Sequence, residues 1–314
     1  MTLTQLQYTL AVAEQGNFTQ AAEKCFVTQP TLSMQVQKLE EELEVKLFNR
    51  NTKPISLTAI GEKIIGQAKT ILKEAKRMDD IVSIEKGVVG GNFRLGIIPT
   101  IMPTLLPLFL NTFIKKFPKV DLKIEELNTA LIIEELKNGK LDAGIAASPL
   151  GDDKLIEKPL YYEPFVGYIP QSHPLSRLKT LKATDLEKMD VLVLEDGHCF
   201  REHVLKLCQT PNFSHSFNLK SGSFETLIHL ANDGLGMTLL PYLQTRRLSP
   251  ENAENLRSFE SPEPAREISL IYSKSELKIQ ITEALRDVIS GIIRGAISFH
   301  DVQIISPKQK ERFR

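Results

Sequence analysis

Two of the three cysteines in this 314-residue chain lie in one twelve-residue stretch, Gly197-His198-Cys199-Phe200-Arg201-Glu202-His203-Val204-Leu205-Lys206-Leu207-Cys208. Phe200 to Leu207 are good or tolerable helix formers, with Val204 and Leu207 on a common face. On a regular helix at ~1.5 Å rise per residue, Cys199 and Cys208 stand roughly 13 Å apart and point to opposite faces. A disulfide needs Cα atoms within about 7 Å. Either the two cysteines never meet, or the segment unwinds so that they do. In the second case oxidation trades a short helix for a covalent loop.

The local chemistry suits that second case. A free thiol has a pKa near ~8.5, and the small thiolate fraction at neutral pH is what attacks peroxide. Nearby cations lower the thiol pKa. His198 and Arg201 adjoin Cys199, so the attack is expected there. The resulting sulfenic acid condenses with a second thiol, a role left to Cys208 between Leu207 and Gln209. The competing reading is a pair of inert buried thiols, a common fate of free cysteine. No CxxC or HxxxH pair accompanies them, so no metal site is expected, and no cofactor. His203 reads as a surface helix residue, and Cys25 as inert packing.

These residues need elements to hold them. At 314 residues the chain exceeds the ~250–300 at which single cores split, which predicts at least two domains. Apolar content of 42% with 25% charged residues is that of a globular protein. The 39 basic and 39 acidic residues balance, so net charge points to neither a nucleic-acid nor a membrane partner. No apolar run reaches spanning length, and Met1-Thr2-Leu3-Thr4-Gln5 is unlike a signal peptide. A cytoplasmic location is expected, where disulfides are transient or sensing.

The first segment reads as helical. Thr2 to Gln5 matches a capping box, with Leu3, Leu6, Leu10 and Ala13 at helical spacing, and Gly16-Asn17 ends that helix. A second short helix spans Thr19 to Cys25. A third runs from Pro30, at a first helical position, to Leu43. Leu32, Val36, Leu39 and Leu43 face inward, while Thr31, Ser33, Met34, Gln35 and Lys38 face out. Two short helices around a tight turn, the second with a small polar face, form a helix-turn-helix pattern suited to the DNA major groove. The stretch from Leu47 to Thr58 reads as a β-hairpin wing whose Arg50 and Lys53 would hold phosphates. A helical bundle with a solvated face is the alternative, because five bases between Thr19 and Thr58 meet five acids. From Thr58 a long helix to Glu85 carries Ile60, Ile64, Ala68, Ile71, Ala75, Met78 and Val82 as a stripe too long for one small domain to bury. It is expected to pack on its twin. Gly87 to Gly91 is the expected joint.

Beyond it, strands alternate with helices. Strands are expected at Phe93–Ile98, Asp121–Glu125, Asp142–Ala146, Val191–Leu194, Gly236–Leu240 and Glu267–Tyr272. Helices are expected at Thr104–Phe117, Thr129–Asn138, Phe224–Asn232 and Glu276–Arg294. This rhythm predicts an α/β domain of two Rossmann-like lobes with mostly parallel sheets and a cleft at the strand ends. Thr100, Thr129 and Cys199 fall at such ends. Hydroxyls there serve as helix N-caps or hold a small polar ligand. The domain boundaries so read are 1–58 for the winged helix-turn-helix, 59–91 for the linker helix and hinge, 92–300 for the effector domain and 301–314 for a basic tail.

Several of these motifs are similar to those of a known family. Phe18-Thr19-Gln20-Ala21-Ala22, Val27-Thr28-Gln29-Pro30-Thr31-Leu32-Ser33, Leu39-Glu40-Glu41-Glu42-Leu43 and Leu57-Thr58-Ala59-Ile60-Gly61 resemble the LysR-type transcriptional regulators. Leu194 to Cys199 with Cys208, Ile98-Pro99-Thr100, Gly139-Lys140-Leu141-Asp142 and Leu239-Leu240-Pro241 resemble its peroxide-sensing members. General members lack the paired cysteines. The resemblance implies a periplasmic-binding-protein type of effector domain. It implies a homotetramer, built as a dimer of dimers, on double-stranded DNA, with contact to RNA polymerase and activation of antioxidant genes. It implies Cys199 as the peroxidatic and Cys208 as the resolving residue of a reversible disulfide. Thr100, Thr129 and His198 would surround hydrogen peroxide, and Arg266 would stabilise the thiolate. DNA would be read from the third helix by Gln29, Thr31, Ser33 and Gln35, with Pro30 at its start. Gln209 to Asn218 departs from the family pattern. A regulator answering to a small molecule in the cleft, and a thiol peroxidase, are the alternatives.

Overall fold

The computed structural model describes residues 1–85, 89–187, 189–208, 221–276, 278–297 and 302–306. Residues 87 and 88 of the expected joint, the divergent stretch 209–218 and tail residues 307–314 lie outside them. The chain divides into two units, Met1–Gly87 and Val88–Arg314.

In the first unit, α1 (Leu3–Gln15) opens on the expected capping box. The Thr2 hydroxyl accepts from the Gln5 amide at 3.2 Å, and the Thr2 amide donates to Gln5 Oε1 at 2.8 Å. Gly16 closes the helix in the left-handed region at φ 60°, and Asn17 caps α2 (Phe18–Lys24). Helix α3 (Gln29–Glu42) begins one residue before the expected start. Pro30 is therefore its second residue, still within the turn whose N–H groups have no partner inside the helix. Strands β1 (Phe48–Asn49) and β2 (Ser56–Leu57) pair antiparallel as the wing. Leu6, Val12, Ala21, Ala22, Leu32, Val36 and Leu39 make the core, and the two alanines let the helices approach closely. Helix α4 (Ala59–Glu85) buries Ala68 there and packs Ile64 and Ile71 against it. Further along, Met78 and Val82 are 68% and 51% exposed, so the stripe outruns the core of its own unit.

The second unit starts with β3 (Gly91–Ile97), α5 (Met102–Lys116), β4 (Val120–Glu126), α6 (Thr129–Lys137) and β5 (Ala143–Ser148). Strand β3 pairs parallel to β4 and β5. A Cβ on Gly144 would fall 2.4 Å from Ile132, so a glycine is what lets α6 lie close on the sheet. Strand β6 (Leu155–Tyr168) follows, then β7 (Thr180–Leu181), β8 (Val191–Leu192), α7 (Cys199–Cys208), α8 (Phe224–Asn232) and β9 (Met237–Pro241). The chain continues through α9 (Tyr242–Thr245), α10 (Pro250–Ala253), β10 (Leu256–Phe259), β11 (Glu263–Ser273), α11 (Ile279–Arg294) and β12 (Val302–Ile304).

The sheet is mixed, which corrects the expectation of mostly parallel pairing. Strand β11 runs antiparallel to both β5 and β6, and β6 runs antiparallel to β9 and β10. The sequence pattern predicts no strand at 155–168. Pro159 and Pro164 interrupt the apolar pattern there, and proline lacks the N–H a ladder requires. The register slips between Ile268 and Ser269, opposite that region. The first part of β6 pairs with β11 and its last four residues with β9, so one strand passes through both lobes. Each lobe keeps its own core. One gathers Phe93, Leu95, Phe109, Ile145, Leu270 and Leu285. The other gathers Phe165, Phe200, Val204, Leu207, Leu227 and Leu239.

Candidate functional site

Helix α7 begins at Cys199 and ends at Cys208, so both thiols sit on one regular helix, and both are free. Their surroundings differ. Cys199 is partly exposed and packs against the core of the first lobe. Cys208 is fully buried in the core of the second. Burial pushes the Cys208 thiol up to about 12. An ordinary helix therefore ties one cysteine to each lobe.

The charge beside Cys199 comes from β11. Arg266 and Glu163 face each other across the β6–β11 pair. Arg266 is fully buried, and its Nε and Nη2 donate to Glu163 Oε2 at 3.0 and 2.7 Å. Nη1 donates to Thr100 Oγ1 at 3.1 Å and Nη2 also to the Thr100 carbonyl at 3.3 Å. The guanidinium lies 5.0 Å from the centre of the Phe200 ring. Glu163 Oε1 accepts from the Leu243 amide at 3.0 Å, which completes the pairing of this buried carboxylate.

Cys199 feels opposed influences. Burial raises its pKa, and the Arg266 charge, the Thr129 hydroxyl and the backbone N–H groups of Ala147 and Phe200 lower it. Burial prevails, so the resting group is a thiol. The expectation that His198 and Arg201 lower this pKa is corrected. The side chain of Arg201 turns back to the Leu194 carbonyl at 2.9 Å and to Asp196 at 3.0 Å. His198 Nε2 lies 3.8 Å from Glu195 Oε1, against Gly222. Neither side chain is among the groups acting on the thiol.

Neither threonine is a helix cap. Asn128 caps α6 by accepting from the Leu131 amide at 2.9 Å. Thr129, the first residue of α6, turns a buried hydroxyl that has no other partner among the described residues toward the Cys199 thiol. Thr100 is buried and bound to Arg266. His203 overturns its reading as a surface residue, because it is fully buried. Its Nδ1 lies 2.6 Å from the Cys199 carbonyl oxygen, and its ring centre is 5.9 Å from that of Phe165. Sequence reasoning missed Glu163 and the burial of His203. The first is signalled only by cross-strand register, and the second only by the fold around α7.

On the helix-turn-helix face, Gln29, Pro30, Thr31 and Lys53 are exposed and Ser33 and Gln35 half-buried. Arg50 is bound to the buried Glu40 at 3.0 Å and lies 5.2 Å from the Phe18 ring centre. Glu40 also accepts from the Leu47 and Phe48 amides at 2.7 and 3.3 Å. One of the five acids counted against DNA binding is thus spent inside the unit. An open cavity of about 550 Å³ has Pro99, Pro103, Phe224, His229 and Arg247 in its lining. Cys199 is not part of its wall. Among the described residues no group of acids, histidines and cysteines could hold a metal ion, and no helix is long and apolar enough to cross a membrane.

Residues 3–62 match the bacterial regulatory helix-turn-helix protein, lysR family, and residues 86–291 the LysR substrate binding domain. A hydrogen peroxide-inducible genes activator of Pectobacterium carotovorum subsp. carotovorum is 34% identical over 94% of this chain and 98% of its own length. The DNA-binding transcriptional dual regulator OxyR of Escherichia coli K12 is 34% identical over 93% of this chain and 97% of its own. A full-length OxyR from Pseudomonas aeruginosa, with a cysteine replaced by aspartate, superposes with a TM-score of 0.74 at 34% identity, covering 92% of this chain and 94% of that one. A hydrogen-peroxide-bound OxyR mutant from Corynebacterium glutamicum gives 0.63 at 30% identity, covering 94% and 93%.

Proposed function

The chain belongs to the lysR family of bacterial regulatory helix-turn-helix proteins, and we propose that it is a peroxide-responsive DNA-binding transcriptional activator switched by a reversible Cys199–Cys208 disulfide. The observation that carries the reading is the arrangement of α7. The thiol of half-buried Cys199 lies beside a buried arginine and a hydroxyl that has no other partner among the described residues, and a second thiol waits at the far end of the same helix.

The chemistry follows from these groups. Hydrogen peroxide enters beside Cys199, held by the Thr129 hydroxyl with Thr100 and His198 around it. Arg266 stabilises the thiolate once the thiol proton leaves. The sulfur attacks one peroxide oxygen, an S–O bond forms, and the O–O bond breaks. The departing hydroxide takes up a proton as water, leaving a sulfenic acid. The Cys208 thiol, released from burial, then gives up its proton and attacks that sulfur; an S–S bond forms, the S–O bond breaks, and the departing hydroxide takes up that proton as a second water. The two sulfurs together lose the two electrons that peroxide gains.

Cys208 cannot reach Cys199 while α7 stands, because a bridge needs Cα atoms within about 7 Å. Closing it must take Cys199 from the first lobe or Cys208 from the core of the second. The bond thereby becomes a change in how the lobes are held, which the DNA-reading unit registers. In this reading residues 1–58 bind operator DNA through Gln29, Pro30, Thr31, Ser33 and Gln35, with Arg50 and Lys53 on phosphates. Residues 59–91 join protomers, 92–300 sense peroxide, and 301–314 form a tail. The assembly is a cytoplasmic homotetramer that contacts RNA polymerase, and it does not turn over peroxide as an enzyme.

The test is promoter binding and transcription measured before and after peroxide, with the wild type and Cys199→Ser. The wild type is expected to respond and the variant to stay silent. A response in Cys199→Ser would show that the sensor lies elsewhere. Catalytic peroxide consumption without a transcriptional change would favour a thiol peroxidase.

A further inference from the structure

His203 stands one helical turn beyond Cys199, in the middle of the segment that the proposed switch must unwind. The imidazole is fully buried, and its Nδ1 lies 2.6 Å from the Cys199 carbonyl oxygen. A carbonyl can only accept, so Nδ1 carries the proton and Nε2 presents a bare lone pair. Nε2 has no partner among the described residues. Protonating it would place a second cation in a closed apolar setting beside Phe165. We propose that unwinding α7 frees His203 to take up a proton, so that the Cys199–Cys208 disulfide is favoured by acid.

The Cys199 carbonyl favours a charge on the ring, but among the described residues burial and the nearby cations outweigh it. Arg266 from β11 and Lys206 from α7 itself both disfavour the imidazolium. The carboxylate that could offset them, Glu163 on β6, is already engaged by Arg266 and the Leu243 amide. Asp185, on the 3-10 turn Ala183–Leu186 that packs on α7, is bound to the Lys182 amide. Glu225, in the first turn of α8, and the bound Asp185 are not among the groups acting on the ring. Burial, with these cations, lowers the His203 pKa to about 4.

The sign follows from linkage. A histidine free in water titrates near ~6.5, and the helical form cannot hold that proton. The helical form therefore keeps its full advantage above about pH 6.5 and loses it progressively as the pH falls toward 4. This inference rests on the disulfide reading above. It adds a proton to a reaction already balanced: disulfide plus two glutathione gives dithiol plus glutathione disulfide. The thiol protons on the two sides cancel below the thiol pKa values, so any remaining pH dependence belongs to another group.

The full-length protein is equilibrated without oxygen in glutathione redox buffers, from the reduced and the oxidised side, between pH 5 and 7.5. The disulfide fraction is read by alkylation and mass spectrometry. In the wild type the equilibrium should move roughly 25-fold toward disulfide over that interval, from the two pKa values of the histidine. His203→Gln keeps an N–H for the Cys199 carbonyl but does not titrate, and should move less than about 3-fold. A flat wild type, or a variant with the wild-type slope, overturns the proposal. Absence of the disulfide at every pH overturns the switch itself, a distinguishable failure. Should the variant not fold, proton NMR of wild-type His203 decides. The ring should titrate near ~6.5 only in the oxidised form, and equal titration in both forms overturns the inference.

Discussion

Arg266 is the residue on which reactivity and stability meet. It supplies the charge beside Cys199 and is also the partner of a buried carboxylate. Removing one member of such a pair leaves an unpaired buried charge and costs about 3–5 kcal/mol, whereas replacing both by apolar groups is often neutral. Arg266→Met is therefore expected to destabilise by about that amount in urea titration and to slow sulfenic acid formation at least ~10-fold, the loss of one favourable charge interaction. Adding Glu163→Leu should recover stability but not reactivity. Recovery of both would mean that Arg266 serves Cys199 only by keeping the fold. Nothing in the spacing of residues along the chain marks Arg266; family resemblance alone points to it. The neighbours favoured by sequence, His198 and Arg201, turn to Glu195 and to Leu194 and Asp196.

At the scale of elements, α7 suits the proposed switch because it is a weak helix held by strong neighbours. Isolated helices below ~12–15 residues are marginal in water, and α7 has ten. Its stability comes from burying Phe200, His203, Val204, Leu207 and Cys208. That burial also silences Cys208, whose thiol at about 12 is un-ionised at neutral pH. In reduced Cys199→Ser, Cys208 should resist iodoacetamide at pH 8 until denaturant is added. In the wild type after peroxide, neither thiol should remain to alkylate. Rapid labelling of Cys208 in the folded variant would show that α7 opens without oxidation. The helices of the first unit are legible in the sequence because their signals are local. The Thr2–Gln5 box, Gly16 and Asn17 each act within a few residues. Strand β6 is not legible, because its two prolines mask the pattern and its β11 partners lie about a hundred residues away.

At the scale of the whole molecule, the stripe on α4 calls for a partner. Met78 and Val82 remain largely exposed within their own unit. Single exposed apolar residues are ordinary, but a continuous helical stripe marks an association surface. Met78→Glu with Val82→Glu should shift the protein to a smaller species in sedimentation at micromolar concentration and weaken operator binding. Unchanged sedimentation would assign assembly to another surface. The sequence by itself determined the helix-turn-helix, the wing and the mismatch between a helix and a disulfide at residues 199 and 208. Those depend on hydrogen bonds and spacing within a few residues. Motif resemblance names Arg266, and the tertiary structure alone decided that its sequence rivals His198 and Arg201 turn away from the thiol. It alone decided that His203 is buried and neutral, and that each cysteine is anchored to a different lobe. Electrostatics and burial are set by residues brought together across the sheet, and sequence distance carries no record of that.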